Sequence, residues 1–266
     1  MDIPTEFPTP PLVPPSTPAP KLDLKPYIEL DNKFSKIAAE TKGKIGIAAV
    51  VLETGESASV NADQHFPMQS VYKMPIAMAV MDQVRQGKLE LDEKIGVTTD
   101  DMVREGQRSP LRDVSPKGGE FSIRELMKYA LVESDGTASD VLMRVAGGAG
   151  EIQAFVEQLG VHDVKILNTE KEIGKDWQTQ YQNWATPAAA VEMLRWLHGA
   201  SDCGCSAIDP MTKSEEELTG QTFVLKLMAD SNPGTNRLKG LLPKDTRVAH
   251  KTGTSGTEKG ITAATN

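Results

Sequence analysis

The segment from Ser70 to Lys88 constrains the fold more than any other part of the chain. Its sequence, SVYKMPIAMAVMDQVRQGK, has a helical pattern and is apolar on nearly every side. A helix that is apolar all round is stable in water only when other elements bury it. We therefore expect this helix to be buried on most sides by the elements packed around it.

Strand patterns occur toward both ends of the chain, and helical patterns lie between them. Residues 44–60 predict a hairpin, and TRVAHKTGTSG and GITAATN predict two further strands joined by a turn. Other predicted helices are 27–41, 121–133, 137–146, 149–159, 186–198 and 214–230. This order predicts the α+β class: an antiparallel sheet formed by both chain ends packed against helices, beside an all-helical lobe.

The chain divides into a proline-rich start and one domain. Residues 1–21 predict a disordered tether, because proline-rich stretches favour extended polyproline II. Residues 22–266 are expected to form a catalytic domain, with an α/β lobe of residues 22–68 and 214–266 and a helical lobe of residues 69–213. A cleft between two lobes is the usual place for a small-molecule site.

Composition excludes several classes of function. The formal net charge is -8 without a cluster of Lys and Arg, which argues against a nucleic-acid partner. No apolar stretch is long enough to span a membrane, and residues 1–20 lack the pattern of a secretory signal. Cys203 and Cys205 are typical of a surface loop; a three-ligand metal cluster with His198 is the weaker alternative. We expect no metal and no cofactor.

Ser70 and Lys73 form the first candidate catalytic pair. At positions i and i+3 of a helix, the serine hydroxyl and the lysine amine lie on one face, one turn apart. A serine hydroxyl needs a neighbouring base to accept its proton, and a lysine in an apolar helix is disfavoured as a cation. At the helix N-terminus the backbone N–H of Ser70 also points at a developing oxyanion. The pattern indicates nucleophilic catalysis, although SxxK alone is common.

Two triplets follow along the chain. Ser134-Asp135-Gly136 lies at a break between predicted helices, where its ordinary interpretation is an N-cap. Lys251-Thr252-Gly253 lies on a predicted strand, where glycine lets a ligand approach and the other two side chains suit a carboxylate; a strand lysine is ordinarily only a solvated charge. The three motifs together are far more specific than any one of them.

With these motifs the chain resembles the class A serine β-lactamases, from about Leu22 to its last residue. The likeness extends to FPMQSVYK, SPLRD, QYQNWATP, NRLKGLLP and AHKTGTSG, and is greatest to the extended-spectrum A2 subclass. It implies the serine β-lactamase/penicillin-binding fold and hydrolysis of penicillins and cephalosporins through an acyl-enzyme. The implied partners are small-molecule β-lactams, and the implied enzyme is a monomer, periplasmic or secreted, that confers antibiotic resistance.

The resemblance also implies catalytic roles. Ser70 is the nucleophile, and Lys73 and Glu170 take its proton, directly or through a water. Glu170, at the start of the long loop 161–185, then activates the deacylating water. Ser134 passes a proton to the lactam nitrogen, and Lys251 belongs to the same catalytic set.

Substrate-binding roles are implied in the same way. The N–H groups of Ser70 and Thr254 form the oxyanion hole, and Lys251, Thr252 and Arg237 face the substrate carboxylate. The implied substrate-binding residues are Gly136, Thr252, Gly253, Thr254 and Arg237.

The chain departs from the family pattern in three places. Gly136 and Gly174 each stand where asparagine is common, and losing a hydrogen bond of this kind costs about 1 kcal/mol. We expect an altered substrate spectrum and slower deacylation, with the reaction class unchanged. The sequence also stops at Asn266, before a further strand and a C-terminal helix of the family's fold, so we expect a partial version of a longer enzyme.

Three alternatives remain open at this point. A penicillin-binding D,D-peptidase shares the three motifs but lacks a loop carboxylate such as Glu170 to activate water. A β-lactam sensor acylates and stays acylated, and a domain without activity follows if the sequence is truncated. A Ser–His–Asp triad is disfavoured, because Ser70 already has Lys73 one turn away and no G-x-S-x-G elbow occurs.

Overall fold

The structure, a computed structural model, describes residues 17–19, 21–199, 220–258 and 262–265. Helices in this part of the chain are α1 (Ile28–Glu40), α2 (Lys73–Arg85), α3 (Pro110–Val114), α4 (Ile123–Val132), α5 (Gly136–Val145), α6 (Ala149–Gln158), α7 (Glu170–Ile173), α8 (Pro187–Gly199) and α9 (Gly220–Ala229). Strands are β1 (Lys25–Pro26), β2 (Ile47–Val50), β3 (Glu56–Val60), β4 (Phe66–Pro67), β5 (Lys94–Val97), β6 (Gly119–Ser122), β7 (Val164–Lys165), β8 (Trp184–Ala185), β9 (Gly253–Thr254) and β10 (Ala264–Thr265).

Helix α2 is the buried centre of the molecule, as its sequence predicts. All of its residues from Lys73 to Asp82 are buried, and α4, α5, α6 and α9 pack around it. Its first turn differs from the prediction, because residues Gln69–Tyr72 form a 3₁₀ turn rather than α-helix. The helix ends at Arg85, shortly before Gly87 adopts a φ of +70°, a conformation that favours glycine.

The strands form small sheets in which both chain ends take part. Strands β2 and β3 form the predicted hairpin, and β1 adds to β3 in parallel. Near the other end, β9 and β10 pair antiparallel, with Gly253 opposite Thr265. Within the described residues these two sheets are not hydrogen-bonded to each other. The α+β class is confirmed, with the sheet contributed by the chain ends in two separate parts.

The structure adds detail to two N-terminal segments. Thr17–Ala19, inside the predicted tether, contact the helical lobe: Trp196 Nε1 donates to the Thr17 carbonyl at 2.9 Å, and Ala19 packs against the hydrophobic core. Helix α1 has nearly the predicted bounds but fully buries none of its residues. Cys203 and Cys205 lie outside the described residues.

The described residues contain no helix that could span a membrane. None of the helices there combines the length and apolar character that crossing a bilayer requires.

Candidate active site

A strained turn presents Ser70. Gln69, immediately before it, has a φ of +48°, which is unfavourable for a residue other than glycine. The Gln69 side chain donates to Oε1 of Gln180 at 2.6 Å, so a partner from the long loop holds this conformation. Strain at such a position persists only where the surroundings enforce it, and it commonly marks a functional site.

Lys73 links Ser70, the predicted nucleophile, to two other predicted residues. Its Nζ donates to Ser70 Oγ at 2.9 Å and to the Ser134 carbonyl at 3.0 Å, and lies 3.1 Å from Glu170 Oε2. Only 2% of the residue is exposed. A buried ammonium group is costly unless it is paired, and here each of its three N–H donors has an acceptor.

Ser134 lies between the two lysines of the site. Its φ of +58° turns the chain sharply before α5, and its hydroxyl accepts from Lys251 Nζ at 2.7 Å. Lys251 is buried as well, and burial together with the charge of Lys73 lowers its pKa well below the usual range. A lysine that loses its proton easily, hydrogen-bonded to a serine, is suited to proton transfer through that serine.

Asp135 holds the Ser134 turn in place. It caps α5 by accepting from the Ala138 N–H at 2.8 Å, so the predicted N-cap interpretation is confirmed for this residue of the triplet. It also accepts from the Leu111 N–H at 2.6 Å and the Ser109 hydroxyl at 3.1 Å. Burial raises the pKa of Asp135, and these donors oppose the rise.

Glu170 is the first residue of the short helix α7. A capping box between Thr169 and Glu172 starts this helix and fixes the direction in which Glu170 leaves the loop. Its Oε2 accepts from the Tyr72 hydroxyl at 3.1 Å as well as lying beside Lys73. The carboxylate of the long loop therefore meets the SxxK motif directly.

The strand β9 closes the other side of the site. A Cβ built on Gly253 would lie 2.6 Å from Gln69 Cβ and 2.8 Å from the Met68 carbonyl. The glycine is thus required by the close approach of the turn that carries Ser70. Gly253 also lines the cavity, and the approach of a ligand to it stays a prediction.

Arg237 reaches the same strand from the start of a 3₁₀ turn. Its Nη1 donates to the carbonyls of Gly253 and Thr265 at 3.0 and 2.8 Å, and its Nη2 donates to Thr254 Oγ1 at 2.5 Å. The guanidinium therefore already has three protein acceptors and ties β10 to β9.

A cavity of about 730 Å³ brings much of the predicted set together. The predicted residues that line it are Ser70, Ser134, Glu170, Thr252, Gly253 and Thr254. Gly136 and Arg237 are not among the lining residues, and Lys73 and Lys251 are buried with their amines on Ser70 and Ser134. The arrangement places a candidate nucleophile, Ser70, beside two candidate bases, the buried amine of Lys73 and the carboxylate of Glu170.

Comparison with known proteins identifies the family. The model of the β-lactamase enzyme family matches residues 29–263. The β-lactamase VEB-1 of Pseudomonas aeruginosa is 38% identical over 243 residues, covering 90% of this chain and 77% of that protein. The chain belongs to the β-lactamase enzyme family.

Further relatives of this β-lactamase are extended-spectrum enzymes. The extended-spectrum β-lactamase PER-1 of Pseudomonas aeruginosa is 34% identical, covering 89% of this chain and 73% of that protein. The crystal structure of the TLA-1 extended-spectrum β-lactamase matches with a TM-score of 0.80 and 36% identity, covering 90% of this chain and 82% of that one. The predicted likeness to class A serine enzymes of extended spectrum is confirmed.

Gly136 of this β-lactamase is buried behind Glu170. A Cβ built on it would lie 2.7 Å from Glu170 Cγ and 3.1 Å from Val103 Cγ1. Its N–H donates to the Arg108 carbonyl at 2.9 Å. The sequence suggested only the loss of an asparagine amide, whereas the structure shows that Glu170 fills the space beside this glycine.

Sequence reasoning missed two side chains that contact Glu170. Tyr72, inside the SxxK motif, is fully buried, and its hydroxyl donates to the carboxylate. Asp140 accepts from the backbone N–H groups of Glu170 and Lys171 at 2.6 and 2.9 Å. Its position on α5, one turn after Gly136, was the available signal.

Asp140 is a titratable support for the loop. Burial raises its pKa to about 7, and the charge of Glu170 adds to the rise, while the two backbone donors and Lys73 oppose it. The position of Glu170 thus depends on a carboxyl group that titrates near neutral pH.

The histidines do not form a catalytic triad in the described residues. Ser70 Oγ accepts a hydrogen bond from Lys73 Nζ rather than from a histidine. His250, next to Lys251, is buried without a hydrogen bond to either ring nitrogen, and burial lowers its pKa.

Proposed function

We propose that this β-lactamase opens the lactam ring by acylation of Ser70 and hydrolyses the acyl-enzyme with a water activated by Glu170. One observation carries the proposal: Ser70 Oγ, Lys73 Nζ and Glu170 Oε2 form a continuous chain with contacts of 2.9 and 3.1 Å. A serine nucleophile needs such a base in direct contact, and deacylation needs a carboxylate near the same atom.

Acylation proceeds through the two lysines and Ser134. Lys73 passes a proton to Glu170 across their contact and, now neutral, takes the proton of Ser70 as Oγ attacks the lactam carbonyl. The carbonyl oxygen becomes an oxyanion held by the N–H groups of Ser70 and Thr254. When the C–N bond breaks, Ser134 donates its proton to the nitrogen and receives that of Lys73, with Lys251 2.7 Å from its hydroxyl.

Deacylation uses Glu170 as the general base. Its proton first returns to Lys73, which leaves a carboxylate facing the acyl group. A water attacks the ester carbonyl and gives its proton to Glu170, and the C–Oγ bond then breaks as Oγ is protonated by Lys73. The free acid leaves, and the proton on Glu170 restores the Lys73 ammonium.

Binding roles follow the same geometry. Thr252 and Thr254 line the cavity at β9 and are proposed to meet the substrate carboxylate, with Lys251 beneath them. Arg237 supports Gly253 and Thr254 through its three hydrogen bonds. From the family we also propose a monomer that acts in the periplasm or after secretion.

Hydrolysis of a chromogenic cephalosporin tests the nucleophile. Wild type is expected to turn over many equivalents, and Ser70→Ala none above background. Ser57→Ala is the control, because the Ser57 hydroxyl lies on β3, outside the lining of the cavity, and donates to the Lys25 carbonyl at 3.4 Å. Equal turnover by wild type and Ser70→Ala would contradict the proposal.

A D,D-peptidase is the second candidate, because it uses the same nucleophile and lysines. The carboxylate beside Lys73 favours the β-lactamase. Release of D-alanine from a peptide ending in D-Ala-D-Ala, faster than hydrolysis of the cephalosporin, would favour the peptidase instead.

A further inference from the structure

Gly174 ends helix α7 in a conformation that does not require glycine. Its φ and ψ of -74° and 0° are available to any residue. The reason for a glycine is therefore space. A Cβ built here would lie 2.5 Å from both Cδ and Nε2 of Gln107 and 2.6 Å from its Oε1. The carboxamide of Gln107 occupies the volume that any side chain at position 174 would need.

Gln107 is anchored at both ends of its carboxamide. Its Oε1 accepts from the backbone N–H of Arg104 at 3.0 Å. The backbone N–H of Gln107 in turn donates to the Arg104 carbonyl at 3.1 Å. Its Nε2 donates to the backbone carbonyl of Glu170. That carbonyl also accepts from the Gly174 N–H at 3.1 Å. The same oxygen therefore accepts one hydrogen bond from the end of α7 and one from the Gln107 side chain.

The main chain of Glu170 is consequently held from two sides. Asp140 accepts its N–H at 2.6 Å, and Gln107 donates to its carbonyl. Arg104, in the same turn as Gln107, donates from Nε to the Lys171 carbonyl at 3.2 Å. A carboxylate that must act as a base at a fixed point benefits from such support, because small displacements of a catalytic group lower the rate strongly.

We propose that Gln107 is a positioning residue for deacylation. It acts by holding the Glu170 carbonyl, and its side chain has room to do so because position 174 is glycine. Gln107 and Gly174 both line the cavity, and Gln107 contacts Glu170 at its backbone carbonyl. This inference rests on the proposed role of Glu170 as deacylating base.

Separate acylation and deacylation rates test the inference. Quenched-flow mass spectrometry of intact protein with a cephalosporin measures the acyl-enzyme as it forms and decays. Gln107→Ala and the isosteric Gln107→Glu, which cannot donate to the carbonyl, are expected to slow deacylation about fivefold, as for one lost hydrogen bond. Acylation should slow less, because Lys73 still contacts Ser70 Oγ directly. Gln83→Ala is the matched control, because Gln83 donates to the Ala146 carbonyl at 2.8 Å, away from the site.

Gly174→Ala provides the second arm. The carboxamide lies at the end of a flexible side chain, so a Cβ at position 174 is expected to push it off the Glu170 carbonyl. This variant should slow deacylation as much as Gln107→Ala does, and the double variant no further. Its melting temperature should fall in the wild-type background and not in the Gln107→Ala background.

The outcomes separate the two proposals. Wild-type deacylation rates in the Gln107 variants, an equal slowing of both steps, or additive effects in the double variant would overturn the positioning role alone. If wild type fails to turn over, or Glu170→Ala turns over as wild type does, the proposed function fails and the role of Gln107 in deacylation fails with it.

Discussion

The hydroxyl of Tyr72 lies 3.1 Å from Glu170 Oε2, the same oxygen that Lys73 contacts. Tyr72 is fully buried, and burial together with the charge of Glu170 raises its pKa well above the usual range. It therefore stays protonated and donates to the carboxylate at every pH at which the enzyme works. Tyr72, between Ser70 and Lys73 in the sequence, therefore helps to hold the proposed base in position.

Tyr72→Phe removes this donor with little change in volume. Because a hydrogen bond to a charged group contributes about 1.5–3 kcal/mol, we expect deacylation to slow by about tenfold or more. Acylation should change less, since Lys73 still contacts Ser70. The fraction of acyl-enzyme at steady state, measured by intact mass, should rise. An unchanged fraction would show that the Tyr72 hydroxyl does not support Glu170.

Asp140 predicts a specific pH dependence of stability. Its pKa rises from 3.8 in the unfolded chain to about 7 in the fold, so the folded state binds this proton more tightly. Stability from this group is present below about pH 4 and is lost as pH rises toward 7. Asp140→Asn lacks this titration. The melting temperature of wild type minus that of Asp140→Asn should therefore fall between pH 4 and 7. A difference that stays constant with pH would contradict the assignment.

Gly136→Ala should impair deacylation. The added Cβ would lie 2.7 Å from Glu170 Cγ, so the carboxylate side chain must move. Asparagine at this position is expected to behave no better, because its Cβ meets the same atoms. The matched control is Gly150→Ala on α6, where a Cβ meets nothing within 4 Å. Slower deacylation in the control to the same degree would show that the effect is not local to Glu170.

Arg237→Lys should lower both stability and acylation. A lysine ammonium cannot reproduce the forked contacts of the guanidinium with Gly253, Thr265 and Thr254. We expect a lower melting temperature and a lower kcat/KM, with exposed Lys244→Ala as control. If kcat/KM falls while the melting temperature is unchanged, Arg237 acts on substrate rather than on the strand.

Local patterns predicted much of this structure because they depend on neighbours along the chain. The apolar pattern after Ser70 predicted the buried helix, and the β2–β3 hairpin appears within the predicted residues 44–60. The three motifs marked Ser70, Ser134 and Lys251, whose polar atoms meet in the fold. The motifs therefore predicted which polar side chains come together, and their catalytic roles stay predictions.

Contacts between distant segments lie beyond such patterns. Asp140 and Glu170 are 30 residues apart, and only the packing of α5 against α7 brings them together. Gly174 and the Gln107 carboxamide likewise lie side by side only because the fold brings two distant segments together. The sequence marked both Gly136 and Gly174 as departures from a family pattern, but it could not reveal which atoms occupy the vacated volume.

Deacylation by Glu170 is tested most directly by intact-mass spectrometry of wild type and Glu170→Gln during incubation with a cephalosporin. We expect wild type to return to its unmodified mass as substrate is consumed. Glu170→Gln should accumulate a lasting adduct that peptide mapping assigns to Ser70. A lasting adduct on wild type, or clearance of the adduct by Glu170→Gln at the wild-type rate, would contradict deacylation by Glu170.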